Sequence, residues 1–171
     1  MNQSSFDLYI HLHGNFDVIE KNFLIEKMNG ILLCLHLGSL SSPYRIAFSN
    51  QNYLDSIIQL SLKILHDSVP QFQSKDYSNL IISSFNAGYG GVREILKSER
   101  YYHKIKSIIL ADGLHTDYIS SENKKFINPE QMKDFYVLPR TQQNLKRYLS
   151  FHTQRYFPKL IQVLQKLLII Y

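Results

Sequence analysis

Four apolar runs in this sequence each end on residues able to do chemistry. His13, Gly14 and Asn15 close the run that begins at Leu8, and Asn86, Ala87 and Gly88 follow the run Asn79–Ser84. Asp112, Gly113, Leu114 and His115 follow Ile105–Ala111, and His152 follows a less regular run, Arg147–Phe151. Imidazoles and carboxylates are the usual proton carriers, and glycine-rich turns offer backbone N–H groups to a developing anion. In an open α/β sheet, ligands bind at the carboxyl ends of the strands, so the residues just past each strand carry the functional information.

The densest signal is the stretch LIISSFNAGYGGVREIL at residues 80–96. It has the layout of a nucleophile elbow, a sharp strand-to-helix turn whose central residue takes a strained backbone conformation. Small residues two places to either side let strand and helix approach closely, and Ser84 and Gly88 occupy those places. The central residue is Asn86, a type that tolerates positive φ better than most.

The elements that must position these residues follow from periodicity. Short apolar runs alternating with helical patterns predict a mostly parallel sheet covered on both faces. The expected strands are Leu8–His13, Ile31–Leu37, Asn79–Ser84, Ile105–Ala111 and Arg147–Phe151. Expected helices cover Asp17–Met28, Asn52–His66, Ala87 to about Ser98, and a last one after Pro158. In the second of these, Leu54, Ile57, Ile58, Leu62 and Leu65 recur at three- and four-residue spacing. Ser39, Ser41 and Ser42 read as a loop, and Ser120–Thr141 as an excursion above the sheet with one short helix. The expectation is one domain over residues 1–171, a three-layer α/β/α sandwich with about five strands.

Composition narrows the function classes. The 171 residues are 44% hydrophobic and 19% charged, which suits a soluble globular chain. The single cysteine, Cys34, excludes an internal disulfide and the cysteine-rich zinc sites, and its apolar setting predicts a buried, inert thiol. Net charge is +5, but the lysines and arginines are scattered, so no nucleic-acid partner is expected. No secretory leader is read at the N-terminus, and Gln162, Gln165 and Lys166 interrupt the C-terminal apolar stretch. A cytoplasmic protein that takes a small molecule, with no membrane partner, is the expectation, and oligomeric state is left open.

From Phe6 to about Leu168 the chain resembles a group of bacterial α/β-hydrolase-like proteins. The resemblance is carried by YIHLHG at 9–14, LGS at 37–39, SPY at 42–44, the elbow, LADGLH at 110–115 and HTQ at 152–154. It implies a minimal α/β-hydrolase fold that begins at the third strand of the full fold, with serine normally standing where this chain has Asn86. It further implies a triad of position 86 as nucleophile, Asp112 as acid and His152 as base. The implied oxyanion donors are the N–H of Ala87 and an N–H from Gly14 or Asn15. A carboxamide cannot accept an acyl group as serine does, so hydrolysis of an ester, thioester or amide is expected to be impaired. The alternative is a non-enzymatic module that keeps the pocket to bind a small molecule or a partner.

Three further residues are secondary candidates. His115 lies close enough to Asp112 in sequence to substitute as base or ligand, His13 closes the first strand, and Ser84 is a hydroxyl beside the elbow. The pair His11 and His13 is not expected to grip a metal, and neither metal nor cofactor is expected.

Overall fold

A computed structural model describes residues 5–101, 103–113, 118–121, 124–128, 130, 133, 149–152 and 169–170. In chain order the main elements are β1 (Ser5–Leu12), α1 (Phe16–Ile25), β2 (Gly30–Leu35), α2 (Ser41–Ser49), α3 (Gln51–Ser68), β3 (Asp76–Phe85), α4 (Tyr89–Leu96) and β4 (Ile105–Ala111). Four short strands come after these: β5 (Tyr118–Ser121), β6 (Lys124–Ile127), β7 (Leu149–His152) and β8 (Ile169–Ile170).

The sheet is built on four full parallel strands in the spatial order β2-β1-β3-β4, rather than the five expected. The stretch expected as a fifth strand is a four-residue edge piece, β7, which pairs parallel to β4. At the other edge β8 pairs antiparallel to β2, and β5 and β6 form a separate antiparallel pair. That pair replaces part of the excursion expected over Ser120–Thr141, and the last helix expected after Pro158 lies outside the described residues.

The apolar alternation of each strand decides which helices cover it. On one face Leu8, Ile10, Leu12, Leu33, Leu80, Ile82 and Leu110 pack against Tyr44 and Phe48 of α2, Leu54, Ile58, Leu62 and Leu65 of α3, and Val92, Ile95 and Leu96 of α4. On the other, Leu32 and Cys34 pack against Phe16 and Phe23 of α1, joined by Tyr9 and Ile19. Helices on both faces make the layered α/β arrangement that the alternating pattern predicts. Cys34 is fully buried, and burial pushes its thiol up to about 12, so it stays protonated and inert.

Local signals set the helix ends. Asn15 caps α1, its Oδ1 accepting from the Val18 N–H at 3.2 Å, and Asn50 caps α3 through Asn52 at 3.0 Å. Val69 ends α3 in extended backbone before Pro70, as a pre-proline residue must. The loop expected around Ser41 and Ser42 is instead α2, with Pro43 in its first turn where a missing N–H costs nothing. Its core stripe is only Tyr44 and Phe48, one helical turn apart, too short a pattern to stand out from its polar neighbours. No helix among the described residues is long and apolar enough to cross a membrane.

Candidate functional site at the carboxyl edge of the sheet

From β1 the chain crosses to β2 on one side, and later to β3 on the other, so the topology reverses between β1 and β3. Such a switch point opens a crevice beyond the carboxyl ends of the two strands. The residues that enter it are His13-Gly14-Asn15 after β1 and Asn86-Ala87-Gly88 after β3.

His13, Asn86 and Asp112 are each the first residue beyond their strand, and each is left-handed, with φ of 63°, 39° and 51°. The strands they leave, β1, β3 and β4, are adjacent. Only Lys27 joins them as a non-glycine residue of positive φ among the described residues. His, Asn and Asp are the residue types that tolerate this conformation best, yet it still costs roughly 1–2 kcal/mol per residue. Three such kinks along one sheet edge concentrate strain where the crevice opens.

The register fixes how the implied triad is spread. Phe85 pairs with Ala111 and Ala111 with His152, so Asn86 and Asp112 each stand one residue past a paired position on neighbouring strands. The His152 backbone lies opposite Ala111, directly before Asp112. Residues 86, 112 and 152 therefore come from three successive strands at one end of the sheet. Asn86 is exposed and Asp112 half-buried, while His115 lies outside the described residues.

The turn after Asn86 is tight for a steric reason. A Cβ at Gly88 would fall 2.2 Å from the Leu12 carbonyl oxygen and 2.9 Å from Ser84 Cβ. Only glycine lets the turn settle against β1, and α4 then runs down onto the sheet. Ser84 is 1% exposed beneath this turn, and its Oγ finds no hydrogen-bond partner among the described residues. A hydroxyl enclosed there faces no solvent, so Ser84 serves as the small spacer of the turn rather than as a nucleophile at the edge.

The opposite wall is held by histidines. His11, 7% exposed, places Nε2 at 2.7 Å from the His13 carbonyl oxygen and Nδ1 at 2.8 Å from Ser83 Oγ. The carbonyl can only accept, so Nε2 carries the proton and Nδ1 accepts from the Ser83 hydroxyl. Burial holds the His11 imidazole down to about 4, hence neutral near neutral pH. Because the peptide is trans, anchoring the His13 carbonyl to His11 turns the Gly14 N–H the opposite way. Asn15 spends its Oδ1 on the α1 cap, which leaves N–H groups, of the backbone and of Nδ2, as what it can offer a ligand.

Residues two apart on a regular strand share a face, which by itself would put His11 and His13 together. The left-handed kink at His13 separates their partners instead. The Tyr44 hydroxyl accepts from the Leu37 N–H at 3.0 Å and lies 3.0 Å from His13 Nδ1. Burial first, and the neighbouring His36 second, lower the pKa of the His13 imidazole. His13 stacks on His36 at a centroid distance of 5.1 Å. Through the Tyr44 hydroxyl, His13 ties the end of β1 to that of β2. His36 is a contributor that no motif points to, while His11, Tyr44 and Ser83 lie inside motifs without being read as site residues. Tyr44 lies in the stretch that reads as a loop, and no spacing rule links a histidine to a serine on a neighbouring strand. Among the described residues no three His, Cys, Asp or Glu side chains gather as a metal set.

His11 makes this edge sensitive to acid. Its folded pKa lies below the unfolded value, so between about 4 and 6.5 the unfolded chain binds a proton that the native state refuses. Stability should be fully present above that window and fall as pH drops through it, by roughly 3 kcal/mol for a shift of this size. Urea unfolding at pH 7.5 and 4.5 checks this, because His11→Gln should lose markedly less on acidification than the parent. Equal losses would show that His11 is not the group responsible.

No family model matches the chain, and no curated protein matches it. Among solved structures it is similar to the histone deacetylase Clr3, at 8% identity and a TM-score of 0.35. That alignment covers 88% of this chain and 28% of the deacetylase chain, and so low a score decides nothing about fold or function.

Proposed function

We propose that this chain carries an α/β-hydrolase-type site in which a carboxamide, Asn86, stands at the nucleophile position. The observation that carries the reading is the row of left-handed residues at the ends of three adjacent parallel strands, with Asn86 exposed at the start of a turn that Gly88 packs against β1. In this reading Asp112 is the acid and His152 the base. The N–H groups of Ala87 and of Gly14 or Asn15 face the carbonyl oxygen of an ester, thioester or amide. Asn86 offers no acyl-accepting atom, so such a compound is bound and polarised but turned over slowly. A second reading, a small-molecule-binding module without turnover, is favoured by Asn86 itself, whose amide donates and accepts where a nucleophile would react.

Hydrolysis of p-nitrophenyl acetate separates the readings from ordinary catalysis. The protein should turn this ester over slowly or not at all, because only the oxyanion donors and the bound geometry remain once the triad nucleophile is lost. Rapid turnover that disappears in His152→Ala would overturn the proposal, since a water activated by His152 would then be doing the work.

A further inference from the structure

At the end of the sheet away from Asn86, the amino ends of β1 and β2 open into a cavity of about 250 Å³. Phe6, Phe23, Phe72 and Met28 form its apolar lining, and Lys27 and Lys75 supply its charge. Phe6 and Phe72 meet edge to face at 5.4 Å, and the Lys75 ammonium sits 5.4 Å from the Phe72 ring centroid. No carboxylate is among the described residues that line it. Of the acids beside these elements, Asp7 pairs with Lys106 at 2.9 Å and Asn79 at 2.6 Å, Asp76 accepts from the Tyr77 N–H at 2.7 Å, and Glu26, next to Lys27, is exposed and does not line the cavity.

Lys27 adds an independent observation. It lies just past the end of α1 with φ of 51°, where the helix closes through Lys27 N–H to Leu24 O and Met28 N–H to Phe23 O. Glycine is the residue that fits such a helix end without strain. A lysine here carries a conformational cost and brings a second ammonium to the rim of an aromatic cavity.

We propose that this cavity binds a small amphipathic monoanion, a carboxylate on a medium-length alkyl chain or a single ring. The tail lies on Phe6, Phe23, Phe72 and Met28, and the carboxylate meets the ammonium groups of Lys27 and Lys75. The volume falls just under the ~300–1,000 Å³ of drug-sized sites, which suits a tail of medium length or one ring. Two cations with no lining acid select an anion over its neutral counterpart.

The test uses octanoate and 1-octanol as probes, followed by amide chemical shifts. Octanoate should bind saturably and shift Lys27 and Gly30, with octanol at least tenfold weaker. Lys75→Gln should weaken octanoate roughly fivefold, the usual scale of a partly exposed ion pair. Lys27→Gly should weaken it similarly while raising the melting temperature, because glycine relieves the left-handed strain. Asn86→Ala should leave octanoate binding unchanged, so the outcome stands apart from that of the hydrolase-type site. The inference falls if no saturable shifts appear, if octanol binds as tightly as octanoate, or if Lys27→Gly melts lower than the parent.

Discussion

Replacing Gly88 by alanine should cost this protein about 3 kcal/mol and lower its melting temperature by roughly 10 °C. The added methyl would sit 2.2 Å from the Leu12 carbonyl oxygen and 2.7 Å from its carbon, both backbone atoms of a central strand. Neither can rotate aside, so the turn after Asn86 must lift and carry α4 with it. α4 has little room to move, since Val92, Ile95 and Leu96 are buried in the main core. Gly38→Ala is the control that separates collision from strain. Gly38 has φ of 130°, but its added methyl would meet nothing closer than Pro43 Cγ at 3.5 Å. That variant should lose only about 1–2 kcal/mol. Thermal unfolding of the two variants checks the difference, and equal losses would mean that the close approach of α4 to β1 is not what Gly88 is for.

The second large effect is a gain. Asn86→Ser should raise hydrolysis of activated esters by about 10³-fold, well short of the roughly 10⁶-fold that the nucleophile is worth in an optimised triad. The replacement leaves the turn intact, because Ala87 and Gly88 are unchanged and serine is smaller than asparagine. Position 86 is exposed, so the new hydroxyl meets solvent and substrate rather than the core. Serine tolerates φ of 39° less well than asparagine, which costs some stability but not the fold. The gain should vanish in Asn86→Ser combined with His152→Ala, and Asn86→Ala alone should show none. A kcat that rises regardless of His152 would point to a simple exposed hydroxyl rather than an assembled site.

Much of this arrangement is legible from residue types. Strands buried on both faces write themselves as apolar runs, so β1 to β4 fall where Leu8, Ile31, Asn79 and Ile105 begin their runs, within a few residues. The tight turn after β3 is legible because a steric demand is written in small residues, at Ser84 and Gly88. The chemistry-bearing turns are legible for a related reason: His, Asn and Asp are tolerated where a strand must kink left-handed. The features that are not legible depend on contacts between distant segments. α2 buries only Tyr44 and Phe48, and its importance lies in one phenol that joins Leu37 to His13. The role of His11 is likewise set by Ser83, which sits 72 positions away on β3. The strand count differs too, because the run read as a full fifth strand, Arg147–Phe151, forms only a four-residue edge piece, Leu149–His152.

Covalent labelling asks most directly whether this edge is a hydrolase-type site missing its nucleophile. The parent protein and Asn86→Ser are treated with a fluorophosphonate, digested, and mapped by mass spectrometry. A single adduct is expected on residue 86 of Asn86→Ser, with none on the parent and none once His152 is also changed to alanine. A well-folded Asn86→Ser that takes no label, or a parent labelled at Ser83 or Ser84, would be incompatible with such a site.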